Sequence, residues 1–71
     1  MKIKLTLPTK CARDEYEMTH HPRSGYKPKP ELPEGTILEV LHGFTNLYGR
    51  YYHCEGGYDI PVQCAEEILG L

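Results

Sequence analysis

Proline placement divides this chain into a short first segment, a long connection and a regular second half. Five of the six prolines lie between residues 8 and 33. A proline lacks the N–H group that a helix needs, and it disfavours helical backbone at the residue before it. A helix therefore cannot pass through Lys27-Pro28-Lys29-Pro30, and we predict a long, partly extended loop over residues 8–34, with short pairing near Tyr16 and Tyr26. A loop of this length in a small domain is typical of a functional or a disordered segment.

Alternating side chains and glycine turns predict five strands outside that loop. Ile3, Leu5 and Leu7 alternate with polar residues, so they share one face of a first strand that ends at Pro8. Gly56-Gly57 is a typical two-residue hairpin turn. The later strands are predicted at residues 37–42, 50–55, 58–62 and 68–71, with one helical turn at 63–66.

The same alternation predicts a thin hydrophobic core. A chain of 71 residues buries only about 60% of the surface that its unfolded form exposes. A surface groove is therefore easier to build than a deep catalytic cleft. The predicted core residues are Ile3, Leu5, Leu38, Val40, Cys54, Ile60 and Ile68.

Composition restricts the class of protein further. The formal net charge is −2, which argues against a chain whose main task is to bind nucleic acid phosphates. No apolar run is long enough to cross a bilayer, and residues 1–10 lack the apolar region of a signal peptide. Three cysteines are an odd number and a poor disulfide framework. We therefore expect a cytoplasmic protein with free thiols and no membrane partner.

Catalytic and metal sites find little support in the sequence. Cys64 and His53 could in principle form a nucleophile and base, but no oxyanion donors or phosphate-binding glycine loop accompany them. The spacing of the histidines and cysteines matches no zinc pattern, although their types suit zinc. We expect no enzyme activity, no metal and no cofactor. The residues weighed as zinc ligands are His20, His21, His53, Cys11 and Cys64.

Three motifs in the second half occur together in a known order. Residues 33–41 read as a turn and a following strand, and Tyr51-Tyr52-His53-Cys54 is an aromatic pair before a small core residue. Ile60-Pro61 is followed by a helical turn and a last strand. In this order and spacing, residues 32–71 resemble the later two-thirds of a Src-homology-3 domain. The resemblance implies an all-β, five-stranded Src-homology-3-like small barrel over residues 1–71.

The resemblance also implies a binding groove built from aromatic side chains. Tyr51 falls where that family has its groove tryptophan, and Pro61 falls on the groove proline. Tyrosine combines a large contact area with a polar tip, which favours interfaces. Acidic residues in the long loop of that family often pair with a basic ligand. The predicted binding residues are Tyr51, Pro61, Tyr26, Tyr16, Asp14 and Glu15.

Two functions follow from these observations. The first is a non-catalytic protein-binding module, whose size is typical of a small accessory or inhibitor protein of a phage or other mobile element. The alternative is a nucleic-acid-binding small β-barrel, because the long loop carries arginines and lysines beside its tyrosines. A continuous basic face would favour nucleic acid, whereas a mixed or acidic tyrosine face would favour a protein partner.

Overall fold

The fold is one antiparallel sheet of five strands with a short helix packed beside it. The structure is a computed structural model, and it describes residues 1–22, 25 and 27–69. The sheet has the order β4-β3-β2-β1-β5. Its elements are β1 (Lys2–Leu5), α1 (Ala12–His20), β2 (Ile37–Asn46), β3 (Gly49–Cys54), β4 (Tyr58–Pro61), a 3₁₀ helix (Val62–Cys64) and β5 (Ala65–Ile68).

The mostly-β prediction is confirmed, with a helical turn before the last strand. The ladder is not closed into a barrel, because β4 and β5 form its two edges and no pairing joins them in the described part of the chain. Both edge strands have four residues, and the 3₁₀ helix connects them directly. The two edge strands of the open sheet are therefore consecutive in the chain and are separated only by this short helix.

Strand β2 is longer than predicted and belongs to both halves of the sheet. Its first residues pair with β1, and those from Val40 onward pair with β3, with a register shift between Val40 and His42. A bulge of this kind bends a strand and increases its twist. The sequence predicts a short connection from Gly43 to Gly49, but β2 continues to Asn46. Gly43 instead lies inside the strand, where an added Cβ would be 3.5 Å from the Tyr51 carbonyl oxygen.

The predicted long loop contains a helix that the proline argument missed. Nine residues form α1 between Pro8 and Pro22, where the sequence has no proline. Asp14 and Glu15 lie in its first turn, where carboxylates interact favourably with the helix dipole. The prediction of short strand pairing near Tyr16 is therefore wrong, and Tyr26 lies outside the described residues. Thr9 and Leu32 exchange two backbone hydrogen bonds of 2.9 Å, which close the base of the connection.

The core forms on the inner face of the sheet, largely as predicted. Ile3, Leu5, Cys54 and Ile60 are at most 1% exposed and form one cluster, against which Leu38 and Val40 pack. The prediction for Ile68 is wrong. Ile68 is opposite Lys2, so it shares the outer face of the sheet, whereas Ala65 is opposite Leu5 and packs on the core.

In residues 1–22, 25 and 27–69, no helix is both long enough and apolar enough to cross a bilayer.

Candidate functional site

A groove runs between α1 and the outer face of strands β2, β3 and β4. Two adjoining open cavities of about 360 and 420 Å³ form it, and both are lined by Tyr16, Tyr48 and Tyr51. Phe44 lines the first cavity and Pro61 the second. We call this surface the tyrosine groove and define it by these five residues.

Strand pairing places Tyr51 at the centre of the groove. Tyr51 is opposite Phe44 on β2 and opposite Pro61 on β4, so all three share the outer face. The Phe44 and Tyr51 rings stack with centroids 5.2 Å apart and an angle of 17°. Tyr52 points the other way, because alternate side chains of a strand face opposite sides, and it packs on the core.

The other two tyrosines come from different elements and face each other across the groove. Tyr16 lies on α1, and Tyr48 lies in the turn between β2 and β3. Their ring centroids are 6.3 Å apart in an edge-to-face arrangement. Tyr16 is 41% exposed and Tyr48 is 68% exposed. Large aromatic surfaces at this exposure are available to a partner.

Buried polar contacts join the start of α1 to β4 and to the later part of the connection. The Cys11 thiol donates to the Gly57 carbonyl at 3.7 Å and accepts from the Asp59 amide at 3.3 Å. Gly57 and Asp59 lie at the start of β4, which is an edge strand. The Cys11 side chain therefore pairs with backbone groups of the kind that a neighbouring strand would otherwise pair. In addition, the Lys29 amide donates to the buried carboxylate of Asp14 on α1.

The structure brings most of the predicted binding residues together. Tyr16, Tyr51 and Pro61 line the groove, and Glu15 lines its second cavity. Asp14 is 4% exposed and lies behind the groove, where it supports α1. Tyr26 lies outside the described residues.

Two groove residues were missed from the sequence. Phe44 and Tyr48 fell in the segment predicted as a plain connection. Alternation continued from Leu38 and Val40 would place Phe44 on the inner face, and the bulge between Val40 and His42 reverses that assignment, so no local signal places Phe44 on the outer face.

The charges that line the groove are mixed. Arg13 and Asp59 line the first cavity, and Glu15 lines the second. The Asp59 carboxylate is 2.6 Å from Nδ1 of His53, which neighbours it across β3 and β4. One arginine and two carboxylates do not form the continuous basic face that phosphate binding requires.

The buried Cys54 thiol is a poor nucleophile in this fold. Burial, with smaller electrostatic contributions from Asp59 and Cys11, raises the pKa of the Cys54 thiol to about 11. At neutral pH this thiol is protonated, and a protonated thiol is a poor nucleophile. Among the residues that the structure describes, no cluster of three or more histidine, cysteine or acidic side chains could hold a metal ion.

Comparison with known proteins adds no assignment. No protein family, curated protein or solved structure matches this chain.

Replacing Asp14 with alanine is expected to lower the free energy of unfolding by about 1–3 kcal/mol, because a partly buried N–H group loses its acceptor. The variant Asp14→Ala should show this loss in urea denaturation. Glu15→Ala is the matched control, since Glu15 is exposed in the same helical turn and its replacement should change stability by about 0.5 kcal/mol or less. Equal effects of the two replacements would show that Asp14 does not hold α1 in place.

Proposed function

We propose that this chain is a non-catalytic protein-binding module that binds its partner through the tyrosine groove. The observation that carries the proposal is the meeting of Tyr16, Tyr51 and Pro61 along one groove. These residues come from α1, β3 and β4 and are up to 45 positions apart (61 − 16). Exposed aromatic residues around a concave surface are typical of protein interfaces.

We propose in addition that the fold is Src-homology-3-like, in the form of an open five-stranded sheet. Its support is the chain connectivity: a long connection after β1, a helical turn between β4 and β5, and five antiparallel strands. The bulge in β2 also supports it, because the bend divides the sheet into a β5-β1-β2 part and a β2-β3-β4 part.

The cell compartment and biological role form part of the same proposal. The three cysteines form no disulfide, and Cys11 and Cys54 are buried as thiols, which favours a reducing cytoplasm. A module of this kind acts by covering a surface of another protein. That mode of action suits a small accessory or inhibitor protein, such as those of phages and mobile elements.

A nucleic-acid partner is the alternative, and the exposed rings are the observation that favours it. Tyr16 and His20 stack at 4.2 Å on the surface of α1, and exposed rings can stack on bases. Single-stranded nucleic acid also requires a positively charged path for its backbone. Glu15 and Asp59 outnumber Arg13 along the groove, which supports a protein partner.

Affinity capture with and without nuclease distinguishes these two functions. The bait is the purified chain, and the control bait is Tyr48→Ala, which removes a ring that is 68% exposed and does not contribute to the core. We expect a specific protein to be retained after nuclease treatment and lost with the control bait. That protein is then purified and titrated against the chain by calorimetry. Capture that disappears with nuclease, or that the control bait retains in full, would contradict the proposal.

A further inference from the structure

We infer that the tip of the β2–β3 hairpin is an anchor that inserts into an apolar pocket of a folded partner protein. The hairpin tip comprises Asn46, Leu47, Tyr48 and Gly49. The inference rests on the proposed protein-binding function and names the kind of partner that this function requires.

Local turn chemistry explains Asn46 and Gly49 at the two ends of the hairpin tip but does not require an apolar leucine or a tyrosine between them. Asn46 pairs with Gly49, which leaves Leu47 and Tyr48 as a two-residue loop. Such loops favour asparagine and glycine, because the turns that match the strand twist need positive φ. Neither Leu47 nor Tyr48 adopts a positive φ. The Asn46 side chain accepts a hydrogen bond of 2.8 Å from the Tyr48 amide and holds the loop in one shape.

The hairpin tip displays its leucine entirely to solvent. Leu47 is 100% exposed, so its side chain adds nothing to the stability of the folded chain. Strand β4 pairs only with residues 51–54 of β3. The two β2–β3 pairs nearest the tip, Thr45 with Arg50 and Asn46 with Gly49, therefore lie beyond the end of β4. The tip therefore projects from the body of the sheet as an ordered, convex apolar group.

A projecting leucine requires a concave partner surface. An extended peptide in the groove would cover Tyr51, Pro61 and one side of Leu47 but would not enclose a side chain that is 100% exposed. A pocket built from several segments of a folded protein does enclose it. Leu47 also lines the first cavity of the groove together with Tyr48, so one continuous partner surface would cover both features.

Charge complementarity specifies the rim of the partner pocket. Residues 45–49 carry no charge, and they are flanked by two exposed arginines. Arg13 lines the same cavity as Leu47, and Arg50 is adjacent to the tip and opposite Thr45. The carboxylate of Asp59 lines this cavity too, but it is 2.6 Å from Nδ1 of His53, which pairs with it. The structure therefore specifies an apolar pocket with acidic residues around it.

Photo-crosslinking tests the kind of partner directly. The probe is p-benzoylphenylalanine in place of Leu47, and the control is the same probe in place of Leu41, which is 59% exposed at the β2 bulge. Using the captured partner, we expect efficient crosslinks from position 47 only, to residues that are far apart in the partner sequence and lie near acidic side chains. Crosslinks to one short linear segment, to nucleic acid or to a second copy of this chain would each overturn the inference, as would equal yields from both positions.

A pair of aspartate variants separates this inference from the proposed function. Leu47→Asp should weaken partner binding by about tenfold or more, with an unchanged urea denaturation curve, whereas Leu41→Asp should retain binding. If Leu47→Asp binds normally while Tyr51→Ala, which changes the groove but not the tip, does not bind, then the groove binds the partner and Leu47 is not an anchor. If both variants bind normally, the proposed function fails as well.

Discussion

Replacing Tyr51 with alanine is expected to abolish partner capture while the fold remains intact. Tyr51 lies between Phe44 and Pro61, lines both cavities and is half-buried, so its ring provides the floor of the groove. Aromatic residues at the centre of an interface often contribute about 2 kcal/mol or more each. A loss of that size corresponds to about 30-fold weaker binding.

Calorimetry with the purified partner measures this loss, and urea denaturation checks the fold. Tyr51→Phe is the matched control, because it keeps the ring that stacks on Phe44 and removes only the hydroxyl group. We expect Tyr51→Phe to bind within a few-fold of the original chain, as a ring that acts by contact area does. Normal binding by Tyr51→Ala would contradict the proposed site. Binding that survives in Tyr51→Ala and disappears with nuclease would identify a nucleic-acid protein.

The parts of the fold that the sequence predicts correctly are those with strong local signals. Alternation places Ile3 and Leu5 on the inner face, and the Gly56-Gly57 turn fixes the β3–β4 hairpin. That signal gives the position of the turn but not its length, because a two-residue turn would place Tyr51 opposite Val62. Cys54 pairs with Tyr58, so the loop has three residues, and this one-residue shift places Tyr51 opposite Pro61.

The parts that were missed depend on contacts between distant segments. The Asp14 carboxylate accepts from the Lys29 amide, 15 positions away, and Cys11 meets the Asp59 amide, 48 positions away. No local pattern reveals such pairs, so Asp14 looked like an exposed loop acid and Cys11 was not expected in the core. Ile68 was misplaced for a similar reason, since the one-residue register of β5 against β1 decides which face each side chain occupies.

The sequence prediction missed α1 because it excluded a helix from the whole of residues 8–34, although the prolines exclude one only from part of that range. Prolines exclude a helix from residues 27–30, but none occurs between Pro8 and Pro22, and the helix lies in that interval. Its position matters for function, since α1 supplies Tyr16 and forms one wall of the groove. The groove therefore depends on a helix that is held in place by contacts with distant parts of the chain rather than by its own local sequence.

Replacing Ile60 with alanine is expected to lower the free energy of unfolding by about 3 kcal/mol, because a fully buried isoleucine leaves a cavity behind. Ile60 is 0% exposed and belongs to the central cluster, where it is opposite Tyr52 across β3 and β4. A domain of this size has a total stability of about 3–5 kcal/mol from its core, so the variant should be close to unfolding at room temperature.

Urea and thermal denaturation measure this effect, and the chain offers a matched control. Ile37 is the same residue type in the same sheet, but it lies on the outer face and is 51% exposed. Ile37→Ala should therefore cost well under half as much as Ile60→Ala, since less apolar area leaves contact with water. Equal losses at the two positions would mean that the inner and outer faces have been assigned wrongly. Because Tyr51 alternates with the core residues of β3, such a result would also move the tyrosine groove to the opposite face.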